Sequence, residues 1–357
     1  MADSSRDDFT EATRRHLAES AGFRCSFPGC GVPTVGPSDE GGVTASRIGM
    51  AAHIAAAAPG PGARRYDGNM TPAERSSAAN GIWMCYTHGK LIDTDEVRFT
   101  TTMLKRWKAL AELRARIELE SGGKRTLTPE HLDSTGLAPD DVLIAGLGNE
   151  NTTIGQAIDY SCLPAVWGTE LADAVRDFVI EVTRNALTHG GATVCELSIS
   201  DSTVLLVDDG KRFDPWKLPA RTPGGSGGGG TATVRRFLTD FGGHVVVGSR
   251  RVKARNEVRI SVVRSPDEIG KVTHCVVKMK RAADLPVGVL TTVKSCSIIY
   301  VILPDYFTTS DLFAIRDALK KLAKLNKHLV FVATRTSSFV RKQVIEAYPE
   351  AIFMEMD

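Results

Sequence analysis

The sequence predicts a multidomain α+β protein. Three observations carry that prediction: a Cys- and His-bearing stretch closed by an amphipathic helix, a central run of helix, apolar strand and glycines, and a C-terminal alternation of strand and helix. At 357 residues the chain is long enough for two or three separate cores. Apolar residues make up 42% and charged residues 24%, the balance of an ordinary globular protein. No apolar stretch approaches the roughly 20 residues that span a bilayer, which excludes a membrane protein. The start, Met1-Ala-Asp-Ser-Ser-Arg, lacks a basic segment followed by an apolar core, so the expected location is cytoplasmic. A formal net charge of +2 gives no overall attraction to nucleic acid, so any DNA contact must come from a local patch. There is no internal repeat.

Residues 1–125 form the first expected unit. It ends in a helix from Thr102 to Glu118 whose apolar positions Leu104, Trp107, Leu110, Leu113 and Ile117 recur at helical spacing, and Ser121-Gly-Gly breaks it. Residues 126–163, with Pro129, Gly136, Pro139 and Gly146-Leu-Gly148, read as a linker that packs partly on the next domain. Residues 164–284 form the central domain, with strands expected at 245–249, 258–263 and 271–279 in one mixed sheet. In residues 285–357 strands at 297–303, 328–333 and 351–354 alternate with helices at 311–325 and 339–348, giving a small α/β domain.

Within the first unit, Cys25 and Cys30 stand at C-x4-C spacing and Cys85 and His88 at C-x2-H spacing. Four soft or borderline donors from two turns match a tetrahedral structural Zn²⁺. The chain has seven cysteines, and Cys162, Cys195, Cys275 and Cys296 stand isolated in apolar surroundings, where reduced core thiols are expected.

The central domain carries phosphate chemistry. A helix that bears Glu181 and Asn185 four residues apart presents both on one face, so a carboxylate that orients water and an amide oxygen that holds Mg²⁺ converge. Thr203 to Val207 is a buried-strand run closed by Asp208-Asp209-Gly210, which sets a carboxylate at a strand end to accept from an adenine amine. The glycine run from Gly224 to Gly230 then leads into a helix, Thr231 to Phe237, whose first N–H groups favour anions.

On these motifs residues 165–263 resemble the GHKL ATPase family, which includes histidine kinases, anti-sigma kinases, gyrase B and Hsp90. The resemblance implies an α/β sandwich that binds ATP with Mg²⁺. Glu181 takes the place of the catalytic Glu, Asn185 of the Mg²⁺ ligand, Asp208 and Gly210 of the adenine-reading pair, and Gly228 and Gly230 of the lid. Arg212 stands where the family carries a second glycine of the adenine motif.

Residues 20–110 resemble the HNH nuclease family, through Ala52-His53-Ile54, Asn80-Gly-Ile-Trp-Met-Cys85, His88 and Leu91-Ile-Asp93. The resemblance implies a zinc-stabilised ββα-metal module in which His53 activates water for DNA cleavage and Asn80 orients its ring. Two departures stand against this: Ala52 and Gly89 occupy places where the family often carries metal-binding or acidic side chains. Two readings of His88 remain, zinc ligand or catalytic-metal ligand, and with them two readings of the module, cleavage or DNA binding alone. Arg64 and Arg65, beside Tyr66, either grip phosphate or lie in a solvated loop. At the C-terminus, Thr336-Ser337-Ser338 at a helix start is weakly similar to the phosphorylated Ser of STAS domains, but an ordinary N-cap is the favoured reading.

The combined expectation is an ATP-regulated HNH-type DNA endonuclease in prokaryotic anti-phage defence, in which ATP orders the 224–230 lid and nucleotide state gates DNA access. The alternative is a regulator with a catalytically dead DNA-binding module and a GHKL Ser/Thr kinase or nucleotide sensor. Zn²⁺, Mg²⁺ and ATP are the expected cofactors, and DNA the expected partner. A protein trigger and a homodimer are left open, and a GHKL clamp that dimerises on ATP is a third reading.

Overall fold

The computed structural model describes residues 6–42, 44–123, 136–217, 229–280 and 287–356. It is a mixed α/β chain of two compact units, Met1–Asp140 with Ile158–Val166, and Asp141–Ala157 with Trp167–Asp357. Among the described residues no helix is long and apolar enough to cross a membrane.

In the first unit, strands β1 (Val35–Pro37) and β2 (Ala45–Arg47) form one antiparallel pair, and β3 (Gly49–His53) and β4 (Gly81–Cys85) another, with His53 opposite Gly81. The helix Tyr86–Leu91 follows β4 directly, with Cys85 as its N-cap. The expected long helix runs Thr101–Glu120, opened by Thr100, whose hydroxyl accepts from Met103 N–H at 3.2 Å. It buries Met103, Leu104, Trp107, Leu110 and Ile117, the i, i+3, i+4 stripe its sequence shows, the first four against Ile54, Ile82, Met84 and Ile92.

The stretch expected as a linker is structured wherever it is described. Leu137–Ile144 is strand β5, and Glu150–Tyr160 and Leu163–Val166 are helices; residues 124–135 lie outside the described residues. The glycines Gly146 and Gly148 form the turn between β5 and its helix, while Leu137, Ala138, Ile154, Ala157 and Ile158 are buried. Gly146 and Gly148 marked one turn there rather than an unstructured connection, while Pro139 lies within β5.

One sheet has five strands in the order β5-β6-β7-β9-β8, built with β6 (Cys195–Asp201), β7 (Thr203–Asp208), β8 (Val246–Val252) and β9 (Arg255–Ser261) of the second unit. The β6-β7, β7-β9 and β9-β8 pairs are antiparallel. The helices Thr169–Thr188 and Gly229–Phe241 pack on each other through Phe178 and Phe237, 4.9 Å between ring centroids. Phe178 also stacks on Trp216 at 5.2 Å.

The second sheet is fully parallel, in the order β10 (Val276–Lys278), β11 (Ile298–Ile302), β12 (His328–Thr334), β13 (Ile352–Met356). The strand expected at 271–279 in the central sheet is therefore corrected. Its first part is a helix, Pro266–Val272, started by a proline at its first turn, and Val276–Lys278 pairs with Tyr300–Ile302. Cys275, Val277 and Met279 alternate into the core of the parallel sheet, so the boundary at 284 falls inside that sheet's domain. Tyr300, fully buried, fastens this sheet to β8: its hydroxyl accepts from Val247 N–H at 2.6 Å and donates to Val247 C=O at 3.3 Å.

The cysteine expectation divides. Cys162 and Cys195 are buried thiols, each pushed up to about 12 by burial, but Cys275 and Cys296 are joined in a disulfide instead of standing as separate core thiols. Adjacent parallel strands bring the two chain segments together, a proximity that residues 21 apart do not reveal in sequence.

Candidate nucleotide and metal sites

Strand alternation decides what Asp208 does. In β7, Val204, Leu206 and Asp208 are the buried positions, so the carboxylate closes an apolar row and points with it into the domain. Asp208 is 2% exposed. Its Oδ1 accepts from Gly210 N–H at 2.9 Å and from Asn256 Nδ2 at 2.8 Å, while Oδ2 has no partner among the described residues. Asn256 is the residue missed in the sequence. It faces Asp208 across the β7-β9 register, donates also to Lys211 C=O at 2.8 Å, and accepts from Phe213 N–H at 3.2 Å and Arg251 Nη1 at 2.7 Å. The inward phase of Asn256, Val258 and Ile260 in β9 was the available signal.

The turn after Asp208 reaches the helix that carries Asn185. Gly190 N–H donates to Asn185 C=O at 2.9 Å, and Gly190 C=O accepts from Lys211 N–H at 2.8 Å. Asp209 holds the same turn, accepting from Thr193 N–H at 2.7 Å, from Val194 N–H at 3.1 Å and from the Thr193 hydroxyl. These bonds, the Thr193 hydroxyl first, bring its carboxyl down to about 2.

Glu181 and Asn185 lie on one helix, as their spacing predicts, and the start of Gly229–Phe241 lies against both. A Cβ at Gly230 would stand 2.5 Å from Glu181 Oε2 and 3.4 Å from Asn185 Nδ2, so any larger residue there would displace the Glu181 carboxylate. Glu181 Oε1 lies 3.6 Å from Arg184, which also donates to the buried Glu150 at 2.9 Å. That bond holds the Glu150 carboxyl below its ordinary range. A carboxylate, an amide and a helix N-terminus are thus gathered. Gly228 lies outside the described residues.

In the first unit, Cys25, Cys30, Cys85 and His88 come together with all four donor atoms within 4.8 Å of one another, and the cluster could hold a metal ion. Cys85 at the N-cap and His88 one turn on meet as i, i+3, with Nδ1 3.2 Å from the Cys85 sulfur and 3.5 Å from that of Cys25. Phe27 stacks on the His88 ring at 3.9 Å and meets Trp107 edge-on at 5.0 Å. Burial pushes the Cys25 thiol up to about 12 and His88 down. Three thiols and one imidazole with a stacked, fixed ring are a donor set for a tetrahedral, thiophilic cation.

His53 has a different environment from the one expected. Its ring stacks on Phe9 at 3.8 Å, and Nε2 donates to Asp7 C=O at 3.3 Å; burial lowers its pKa. Asn80 does not orient it. The Asn80 side chain accepts from Ala55 N–H at 2.8 Å and donates to Ala55 C=O at 2.8 Å and Arg75 C=O at 3.0 Å, closing the loop between β3 and β4. Ala52 faces the core, and a Cβ on Gly89 would stand 2.5 Å from the Met50 sulfur, so neither position has room for a metal-binding side chain. Among the described residues His53 belongs to no cluster of three donors.

Arg65 is corrected as a phosphate contact. Its side chain is 4% exposed and donates to Ile54 C=O at 2.7 Å, Ile92 C=O at 2.6 Å and Asp93 at 3.1 Å, because the loop's inward carbonyls need donors. Arg64 donates to Asp93 C=O at 3.2 Å beside Glu96. A groove of about 800 Å³ that contains His53 and Trp83 is lined by Arg6, Arg14, Arg15 and Arg47 and also by Asp8, Glu11 and Glu19, with Arg6 paired to Asp8 and Arg15 to Glu19. There Arg14 and Arg47 are exposed and make no ion pair among the described residues. Ser337 caps its helix, accepting from Val340 N–H at 3.4 Å.

No family model, curated protein or solved structure matches this chain. Its chemistry rests on the donors just described.

Proposed function

We propose that the protein is an ATP-binding switch whose metal-held N-terminal unit engages DNA. The observation that supports it most is the buried Asp208, whose Oδ1 is fixed by Gly210 and Asn256 while Oδ2, without a partner among the described residues, is offered to a ligand donor. Asp208 accepts from the adenine amine, the first N–H groups of Gly229–Phe241 meet phosphate oxygens, and Asn185 offers its amide oxygen to Mg²⁺. Glu181 takes the proton of an attacking water. Bound Mg²⁺ supplies neutralisation of phosphate charge. Cys25, Cys30, Cys85 and His88 hold Zn²⁺, and Arg14 and Arg47 meet DNA phosphates along the groove.

The test is calorimetry with ATP and Mg²⁺. Asp208→Ala is expected to abolish binding, and Glu181→Ala to keep binding while hydrolysis slows roughly 10²- to 10⁴-fold. Unchanged affinity in Asp208→Ala overturns the reading.

The second reading is an ATP-regulated endonuclease of anti-phage defence with His53 as the base, favoured by the place of His53 at the end of β3 in the groove, ahead of a hairpin partner and a helix. Plasmid DNA incubated with the protein, Mg²⁺ or Mn²⁺, and ATP separates the two. Nicking that His53→Ala abolishes, with DNA affinity kept, selects the nuclease. Binding without nicking selects the switch.

A further inference from the structure

We propose that His274, Cys275 and Cys296 form a second metal site, closed while the two cysteines are bridged and open to one thiophilic divalent cation such as Zn²⁺ once they are reduced. His274 Nε2 lies 3.7 Å from the sulfur of Cys275 and 3.8 Å from that of Cys296. In a tetrahedral site with Zn–S of about 2.3 Å and Zn–N of about 2.0 Å, a nitrogen and a sulfur stand about 3.5 Å apart. The imidazole is thus already near its place, and only the sulfurs must separate.

The fold keeps them close when they do. Cys275 lies directly before β10, Cys296 lies two residues before β11, and these strands pair in register, Val276 opposite Tyr300. Tyr300 N–H donates to Cys275 C=O at 2.9 Å and Cys296 N–H to Val293 C=O at 3.0 Å, so both backbones are fixed without the bridge. Both sulfurs belong to buried residues, whereas His274 is exposed, and all three line a cavity of about 450 Å³ that leaves room for a water as fourth ligand. Although both cysteines are buried, they line that cavity, through which a small dithiol reaches the bridge.

The chemistry balances with an external dithiol as reductant. It delivers two electrons and two protons, the Cys275–Cys296 bond breaks, two thiols form, and the dithiol closes to its own disulfide. Binding of the cation then releases the two thiol protons to solvent.

The experiment uses the full chain, reduced and loaded with Zn²⁺ or Co²⁺ and then freed of unbound ion, read by metal mass spectrometry and by cobalt–thiolate absorption. Reduced protein is expected to hold one equivalent more than protein whose bridge is verified intact by thiol counting. Cys296→Ser and His274→Ala, the latter at an exposed position, are each expected to lose that one equivalent under reduction, whatever the Cys25 cluster holds. Equal metal content in reduced and bridged protein, or full content retained in both variants, overturns the proposal.

Discussion

Asn256 and Asp208 face each other across β7 and β9, and the amide of one donates to the carboxylate of the other at 2.8 Å, both residues 2% exposed. The amide also bonds Lys211 and Phe213, so one side chain fixes both the carboxylate and the turn that follows it. Asn256→Ala is expected to destabilise the second unit by about 1–3 kcal/mol and to weaken ATP binding, because it leaves buried groups without partners. Chemical denaturation and nucleotide titration check it; unchanged ATP affinity would remove Asn256 from the site.

Gly230→Ala sets a methyl group 2.5 Å from Glu181 Oε2. The carboxylate end must shift, so hydrolysis is expected to fall by about tenfold or more while binding changes less. In a double-mutant cycle with Glu181→Ala the second substitution should add little, since its target is already gone. Additive losses would show that Gly230 acts elsewhere.

If the Cys25, Cys30, Cys85 and His88 cluster holds Zn²⁺, its removal should be felt first at Trp107, which meets the Phe27 ring that covers His88. A strong chelator, or Cys25→Ser, is expected to lower the thermal midpoint of the first unit and change tryptophan emission. A folded, metal-free protein with wild-type emission would count against the zinc assignment.

The two kinds of arginine should separate cleanly. Arg65→Ala, which strips donors from three loop carbonyls and from Asp93, is expected to destabilise the first unit by about 2 kcal/mol or more. Arg14→Ala and Arg47→Ala should leave stability within about 0.5 kcal/mol and each reduce the salt slope of DNA binding by about 1. The readouts are thermal unfolding and DNA titration at several salt concentrations.

Asp209 makes stability pH-dependent. Its folded value, about 2, lies below its ordinary 3.8, so its contribution is present above 3.8 and is lost as pH falls toward 2. Asp209→Asn should flatten the acid limb of the stability profile in that window and leave the slope near neutrality unchanged. An identical acid limb in the variant would show that the Thr193 bonds do not hold the charge.

Several features were legible because one local rule sufficed. The Leu104–Trp107–Leu110–Ile117 stripe fixed its helix, the C-x4-C and C-x2-H spacings found all four members of the first metal cluster, and the spacing of Glu181 and Asn185 placed both on one face. The closing strands and the helix Ser338–Ala347 were also readable, since short apolar runs alternate there with amphipathic ones, whereas the single helix expected at 311–325 is two, Thr309–Ala314 and Arg316–Ala323.

What the sequence determined by itself is therefore the identity of donors carried on a single helix or turn, where neighbours along the chain are neighbours in space. Only the tertiary structure decided the partners that arrive from distant segments: Asn256 on Asp208, Gly230 against Glu181, Asn80 on the Ala55 backbone rather than on His53, and Cys275 bonded to Cys296. The physical reason is the same in each case. A buried carboxylate, carbonyl or sulfur is completed by whichever group the sheet register and the core bring to it, and register is set by the packing of whole faces rather than by the residues beside it in the chain.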